Sequence, residues 1–132
     1  LEHLAEVDFD LGENTGTIES GTLSLYADNG FPFSAQVQLY LLNDNMQVTD
    51  SLLFPDMITA PALNGNYMVI RPARSVIQIP LPGEKISRLY QTKKMRVVAR
   101  FNTAGAGHHV KIYEQYRLDL KLTGDFSYMI QL

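Results

Sequence analysis

The sequence contains no cysteine and no tryptophan. Without cysteine there is no disulfide, no thiol nucleophile and no cysteine-ligated metal, although chains on either side of a membrane can lack it. No apolar run approaches the ~20 residues of a membrane-spanning helix. Leu1-Glu2-His3 does not begin a basic leader followed by an apolar stretch. The chain starts without Met and is read as a piece excised from a longer protein.

The most telling absence is of positive charge. Residues 1–70 hold no Lys or Arg against ten acidic residues. Residues 71–132 hold all eleven cations and only Glu84, Glu114, Asp119 and Asp125. A net charge of −3 argues against general nucleic-acid binding, and it conceals halves of opposite sign. If strands from the two halves pair in one sheet, opposite charges meet across them. The acidic strand around Glu6, Asp8 and Asp10 would then lie beside Lys111–Lys121 or Arg96–Arg100. If the halves instead form separate faces, the charge-segregated surfaces favour self-association or a charged partner.

What is present is alternation with a period of two, the mark of a half-buried strand. The longest stretch sets Val110, Ile112, Glu114, Tyr116, Leu118, Leu120 and Leu122 against Lys111, Tyr113, Gln115, Arg117, Asp119 and Lys121. Thr123-Gly124 reads as the turn of a long hairpin, with Phe126, Tyr128, Ile130 and Leu132 on its return. Shorter alternations occupy 6–11, 18–27, 35–41, 47–53, 75–81 and 95–101, with Val76 and either Ile77 or Ile79 inward. Gly21 reads as a bulge. Asp28-Asn29-Gly30 and Asn43-Asp44-Asn45 read as breaks, because such residues bond their own backbone. Ile86, Leu89 and Tyr90 form the one helical pattern, near 84–93.

The expectation is an all-β, antiparallel β-sandwich of seven to nine strands with one short helix, forming a single domain over 1–132. At this length a chain buries roughly two-thirds of its unfolded surface and needs no metal or disulfide. The expected core contains Val7, Phe9, Leu23, Leu25, Val37, Leu39, Leu41, Val97, Phe101, Ile112, Leu118 and Leu120.

Chemical motifs are weak. Asp8, Asp10, Gly12, Asn14 and Glu19 brush a calcium-loop pattern, but Glu13 stands where that loop needs Gly and the flanks read as strands. His108 and His109 are adjacent, so on a strand they point to opposite faces and do not share a metal. Gly105-x-Gly107 is too short for a phosphate loop. No Gly-x-Ser-x-Gly marks a nucleophile. Asp8 and Asp10 are same-face strand neighbours, which by itself is not a catalytic pair. Arg71, Arg74, Arg88, Lys93, Lys94, Arg96 and Arg100 are enough cations to bind an acidic polymer, and Tyr67 and Tyr90 lie among them as stacking aromatics would; the simpler reading is a solvated face that pairs with the acidic half. Tyr26, Tyr40 and Tyr113 fall on polar strand faces, where aromatics form cross-strand pairs or contact carbohydrate or protein. With Arg96 and Arg100 they are the candidate binding residues. No catalytic, metal or cofactor-binding residue is assigned.

From Leu25 to Leu53 the order is strand, Asp28-Asn29-Gly30-Phe31-Pro32-Phe33, the alternating Val37, Leu39 and Leu41, Asn43-Asp44-Asn45, and a return strand. This resembles the core of late-embryogenesis-abundant, water-stress-type β-sandwich domains, over about a fifth of the chain. The whole chain, with Phe101-Asn102-Thr103 and Tyr116-Arg117-Leu118-Asp119-Leu120-Lys121-Leu122, resembles the carboxy-terminal β-domain of uncharacterised Bacteroidetes-type envelope lipoproteins. That resemblance implies a periplasmic or cell-surface location and carries over no catalytic motif. The expected function is a non-catalytic binding or structural module of a larger cell-envelope protein, partnered by its other domains or by another envelope protein. The alternatives are a binder of an apolar ligand between the two sheets, and a hydrolase whose site assembles in space.

Overall fold

A computed structural model of the protein describes residues 1–11, 17–103 and 112–129. The order is β1 (Glu2–Asp8), β2 (Thr17–Asn29), β3 (Ala35–Leu42), β4 (Val48–Leu53), β5 (Ala73–Leu81), α1 (Gly83–Leu89), β6 (Lys94–Phe101) and β7 (Leu118–Met129). The strands form two antiparallel sheets, one of four in the order β1-β6-β3-β4 and one of three in the order β5-β2-β7. This is a β-sandwich, with seven strands and one short helix among the described residues.

The alternations explain the layers. Ala35, Val37, Leu39 and Leu41 of β3 and Met95, Val97, Ala99 and Phe101 of β6 are buried, and they share one cluster with Leu23, Leu25 and Ala27 of β2 and Ile77 and Leu81 of β5. Leu118 is buried at the start of β7, while Leu120 is half-buried against the same cluster. The helix is shorter than its pattern suggested. Ile86 and Leu89 face the core, whereas Tyr90 lies outside the helix and its hydroxyl accepts the Ile18 N–H at 2.9 Å.

Several expectations fail. The long hairpin does not exist. Residues 112–117 are not strand, and Thr123-Gly124 lies in the middle of β7, opposite Ser24 and Leu23. The glycine serves a ring rather than a turn. A Cβ on Gly124 would stand 2.6 Å from Phe126, and one on Gly21, directly opposite Phe126, would also stand 2.6 Å from that ring. Gly21 is therefore a seat for Phe126, and the register shift in β2 comes at Ile18/Ser20 instead. Val7 is 44% exposed and Ile112 is 49% exposed, so neither is core. β1 is exposed throughout because it is an edge strand whose inner-facing residues are left uncovered. Val76 is 54% exposed, since the inward set of β5 is Ile77, Ile79 and Leu81. Val110, Lys111, Ile130 and Leu132 lie outside the described residues, as do Gly105, Gly107, His108 and His109.

The charge expectation holds along β1. It pairs with β6, the second of the two candidates, so that Glu2 meets Arg100, Glu6 meets Arg96 and Asp8 meets Lys94. The contacts are 3.1, 3.0 and 3.9 Å, and Lys93 lies 3.9 Å from Asp10.

Two loops share one design. Asn43-Asp44-Asn45-Met46-Gln47 and Asn64-Gly65-Asn66-Tyr67-Met68 each begin with an Asn whose Oδ1 accepts the N–H groups two and four residues on. In each, the fourth residue is left-handed, with φ of 59° at both Met46 and Tyr67.

Candidate functional site

The register of the three-stranded sheet fixes what its outer face presents. Three side chains sit abreast in each row, from β5, β2 and β7. The rows read Arg74, Asp28 and Asp119; then Val76, Tyr26 and Lys121; then Gln78, Ser24 and Thr123. Tyr26 stands on the central strand and is 42% exposed. The Lys121 ammonium lies 5.9 Å from its ring centroid, within cation–π range. Arg74 Nε donates to Asp28 Oδ1 at 3.0 Å, and the Arg74 guanidinium is held further toward its charged form by that hydrogen bond and by the charge of Asp28. Gln78 Nε2 lies 3.3 Å from Ser24 Oγ. Asp28 and Asp119 are direct cross-strand neighbours, an arrangement in which like charges destabilise a sheet.

Two hollows meet at these carboxylates. One, of about 370 Å³, includes Tyr26, Asp28, Arg74, Asp119 and Lys121. The other, of about 270 Å³, runs from Asp28 and Asp119 past Arg117, Tyr116, Ile70 and Arg71. Both are bordered by Asp28 and Asp119, so the two hollows adjoin there, and this adjoining pair is the candidate groove. The break after β2 builds its far end. Asn29 is fully buried; its Nδ2 donates to the Phe33 and Thr59 carbonyls, and its Oδ1 accepts the Phe31 N–H. Gly30 donates its N–H to the Arg117 carbonyl at 2.7 Å, and a Cβ there would stand 2.8 Å from that oxygen. Glycine is thus what brings the Arg117 backbone against this wall. Across the groove, the Tyr116 hydroxyl accepts the Val69 N–H at 3.2 Å.

The five residues singled out from the sequence are not brought together. Tyr26 is in the groove. Tyr40, Arg96 and Arg100 lie on the outer face of the other sheet. There, Arg100 donates to Gln38 Oε1, the Tyr40 hydroxyl and Glu2, and Arg96 pairs with Glu6. Their polar atoms hold the sheet together. Tyr113 is not on a strand; it lies in a turn, with its ring 5.3 Å from that of Tyr116, which in turn packs near Phe31. Asp28, Asp119, Arg71 and Arg117 were not among the candidates. The same-face spacings Tyr26-x-Asp28 and Asp119-x-Lys121 were the available signal, but only the β2–β7 pairing joins them.

A larger hollow of about 490 Å³ opens beside α1, but its central groups satisfy one another. Lys85 Nζ donates to Asp50 Oδ1 at 2.8 Å and to the Ser51 carbonyl at 3.1 Å. Burial opposes the Asp50 charge, yet the bonds from Lys85 and the Ser51 N–H, with the charges of Lys85 and Arg88, leave its pKa below the ordinary carboxylate value. Among the described residues, no group of three or more His, Asp or Glu is placed to hold a metal ion, and no helix is long and apolar enough to cross a membrane.

No protein-family model matches the chain, and no curated protein matches it in sequence.

Proposed function

We propose that the chain is a non-catalytic binding module of a larger cell-envelope protein and that it binds through the groove over Asp28 and Asp119. The observation that carries the reading is the open outer face of the three-stranded sheet, where an exposed Tyr26 stands beside two abutting carboxylates. A binding face explains why like charges sit side by side there. The envelope setting rests on the resemblance to lipoprotein β-domains.

The inner faces of both sheets contribute to one buried cluster, which favours this reading over an apolar ligand held between the sheets. A carboxylate pair is also what a hydrolase would use. Here, however, Asp28 is ion-paired with Arg74 at an exposed site, without the enclosure that tunes a catalytic acid.

Co-sedimentation of the chain with a bacterial envelope fraction tests the proposal. Retention is expected to fall in a Tyr26→Ala/Asp119→Ala variant and to persist in a Tyr40→Ala/Gln36→Ala variant of the opposite sheet. Equal loss in both overturns the assignment of the groove. Release of soluble fragments from the envelope fraction by the purified chain overturns the non-catalytic reading.

A further inference from the structure

We infer that the groove takes an acidic oligosaccharide, an inference that rests on the binding role proposed above. A sugar ring is amphipathic, with a face of C–H bonds and a rim of hydroxyls. It is recognised by an exposed aromatic ring surrounded by mixed donors and acceptors. Tyr26 supplies the ring, at the middle of a sheet face. Asp28 and Asp119 supply acceptors beside it, and Arg74 and Lys121 supply donors. Donors and acceptors together beside one aromatic ring suit a polyol better than an apolar or purely ionic ligand.

Charge then selects among sugars. The two hollows contain Arg71, Arg74, Arg117 and Lys121 against Asp28 and Asp119, a surplus of two positive charges on a chain of net −3. Arg74 is engaged by Asp28. Among the described residues, Arg71 and Arg117 have no ion-pair partner; both lie in the hollow beyond the carboxylates. A guanidinium binds a planar carboxylate through paired hydrogen bonds. A uronate chain would set one ring on Tyr26, its hydroxyls on Asp28 and Asp119, and the carboxylate of the next ring on Arg117 or Arg71. A uronate chain can turn neutral hydroxyls toward Asp28 and Asp119 and its carboxylates toward the arginines, which a nucleic acid, charged at every backbone linkage, does less well.

The test is titration of the isotope-labelled chain with tetragalacturonate, maltotetraose and a thymidine oligonucleotide, followed by NMR and calorimetry. Tetragalacturonate is expected to bind and to move the amide signals of residues 26–28 and 117–121. Arg117→Ala and Tyr26→Ala should each weaken it about tenfold, the size expected when a charge-assisted hydrogen bond or a stacked ring is lost. The shift map needs no variant and stands even if one fails to fold. No binding of tetragalacturonate, maltotetraose binding as tightly, or tighter binding of the oligonucleotide each overturns the inference. Groove-dependent retention on the envelope fraction without uronate binding would refute the ligand class alone; retention independent of the groove would refute the underlying role.

Discussion

Reversing the Glu6–Arg96 pair tests whether charge sets the place of β1. The two residues are register partners with contacts of 3.0 Å, and their side chains are 32% and 31% exposed. At that exposure a cross-strand ion pair contributes roughly 0.2–1 kcal/mol. Glu6→Arg removes that attraction and substitutes a repulsion of similar size, for a loss of about 0.4–2 kcal/mol. Arg96→Glu should lose a comparable amount, with an added loss from the packing of its stem against the sheet. The double reversal restores the attraction with its sign exchanged. Urea melts of the four proteins at low ionic strength should therefore give a coupling energy of about 1–4 kcal/mol, the sum of the two single electrostatic losses. In about 1 M salt the coupling should shrink, because the screening length falls to about 3 Å. A coupling indistinguishable from zero at low salt would refute the claim that the ion pairs help position β1. A coupling unchanged by salt would show that the rescue is not electrostatic.

Gly21→Ala places a Cβ 2.6 Å from Phe126 and should destabilise the fold by about 1–3 kcal/mol, as read from the midpoint of a urea melt; an unchanged midpoint would mean that the ring has room to move aside. Asp50 has a depressed pKa in the fold, so its ion pair stabilises the protein above the carboxylate's unfolded value of about 3.9 and is lost as pH falls through the lower folded value. The difference in melting temperature between the native chain and Asp50→Asn should therefore be constant near neutrality and close below about pH 4; a difference independent of pH down to 2 would contradict it.

The central strands were legible in the sequence because β3 and β6 each bury a full alternating set, Ala35 to Leu41 and Met95 to Phe101, even though Leu42 and Val98 of the other parity are buried too. The edges were not. Alternation marks Val7 as apolar-facing, but whether the opposite sheet reaches that far is a tertiary fact. Thr123-Gly124 resembles a turn because glycine breaks strands in isolation; that it makes room for Phe126 depends on Gly21, about a hundred residues earlier in the chain. The same limit hid the groove. Tyr26 was found from its own strand, whereas Asp119 becomes its neighbour only when β7 pairs with β2 rather than folding back on itself.

The partners of β1 also impose an order of assembly in time. Glu6 and Arg96 are 90 residues apart, and Glu2 and Arg100 are 98 apart. The closure entropy of so long a loop must be met before any of these contacts stabilises the chain, and such remote pairings slow folding. During synthesis from the amino end, β1 is made long before the Lys and Arg residues of β6 that receive it. The β3–β4 hairpin can form locally in the meantime. β1 thus docks in the late, non-local stage of assembly, which it shares with the equally remote β2–β7 ladder, whose partners run from Asn29 and Leu118 to Thr17 and Met129.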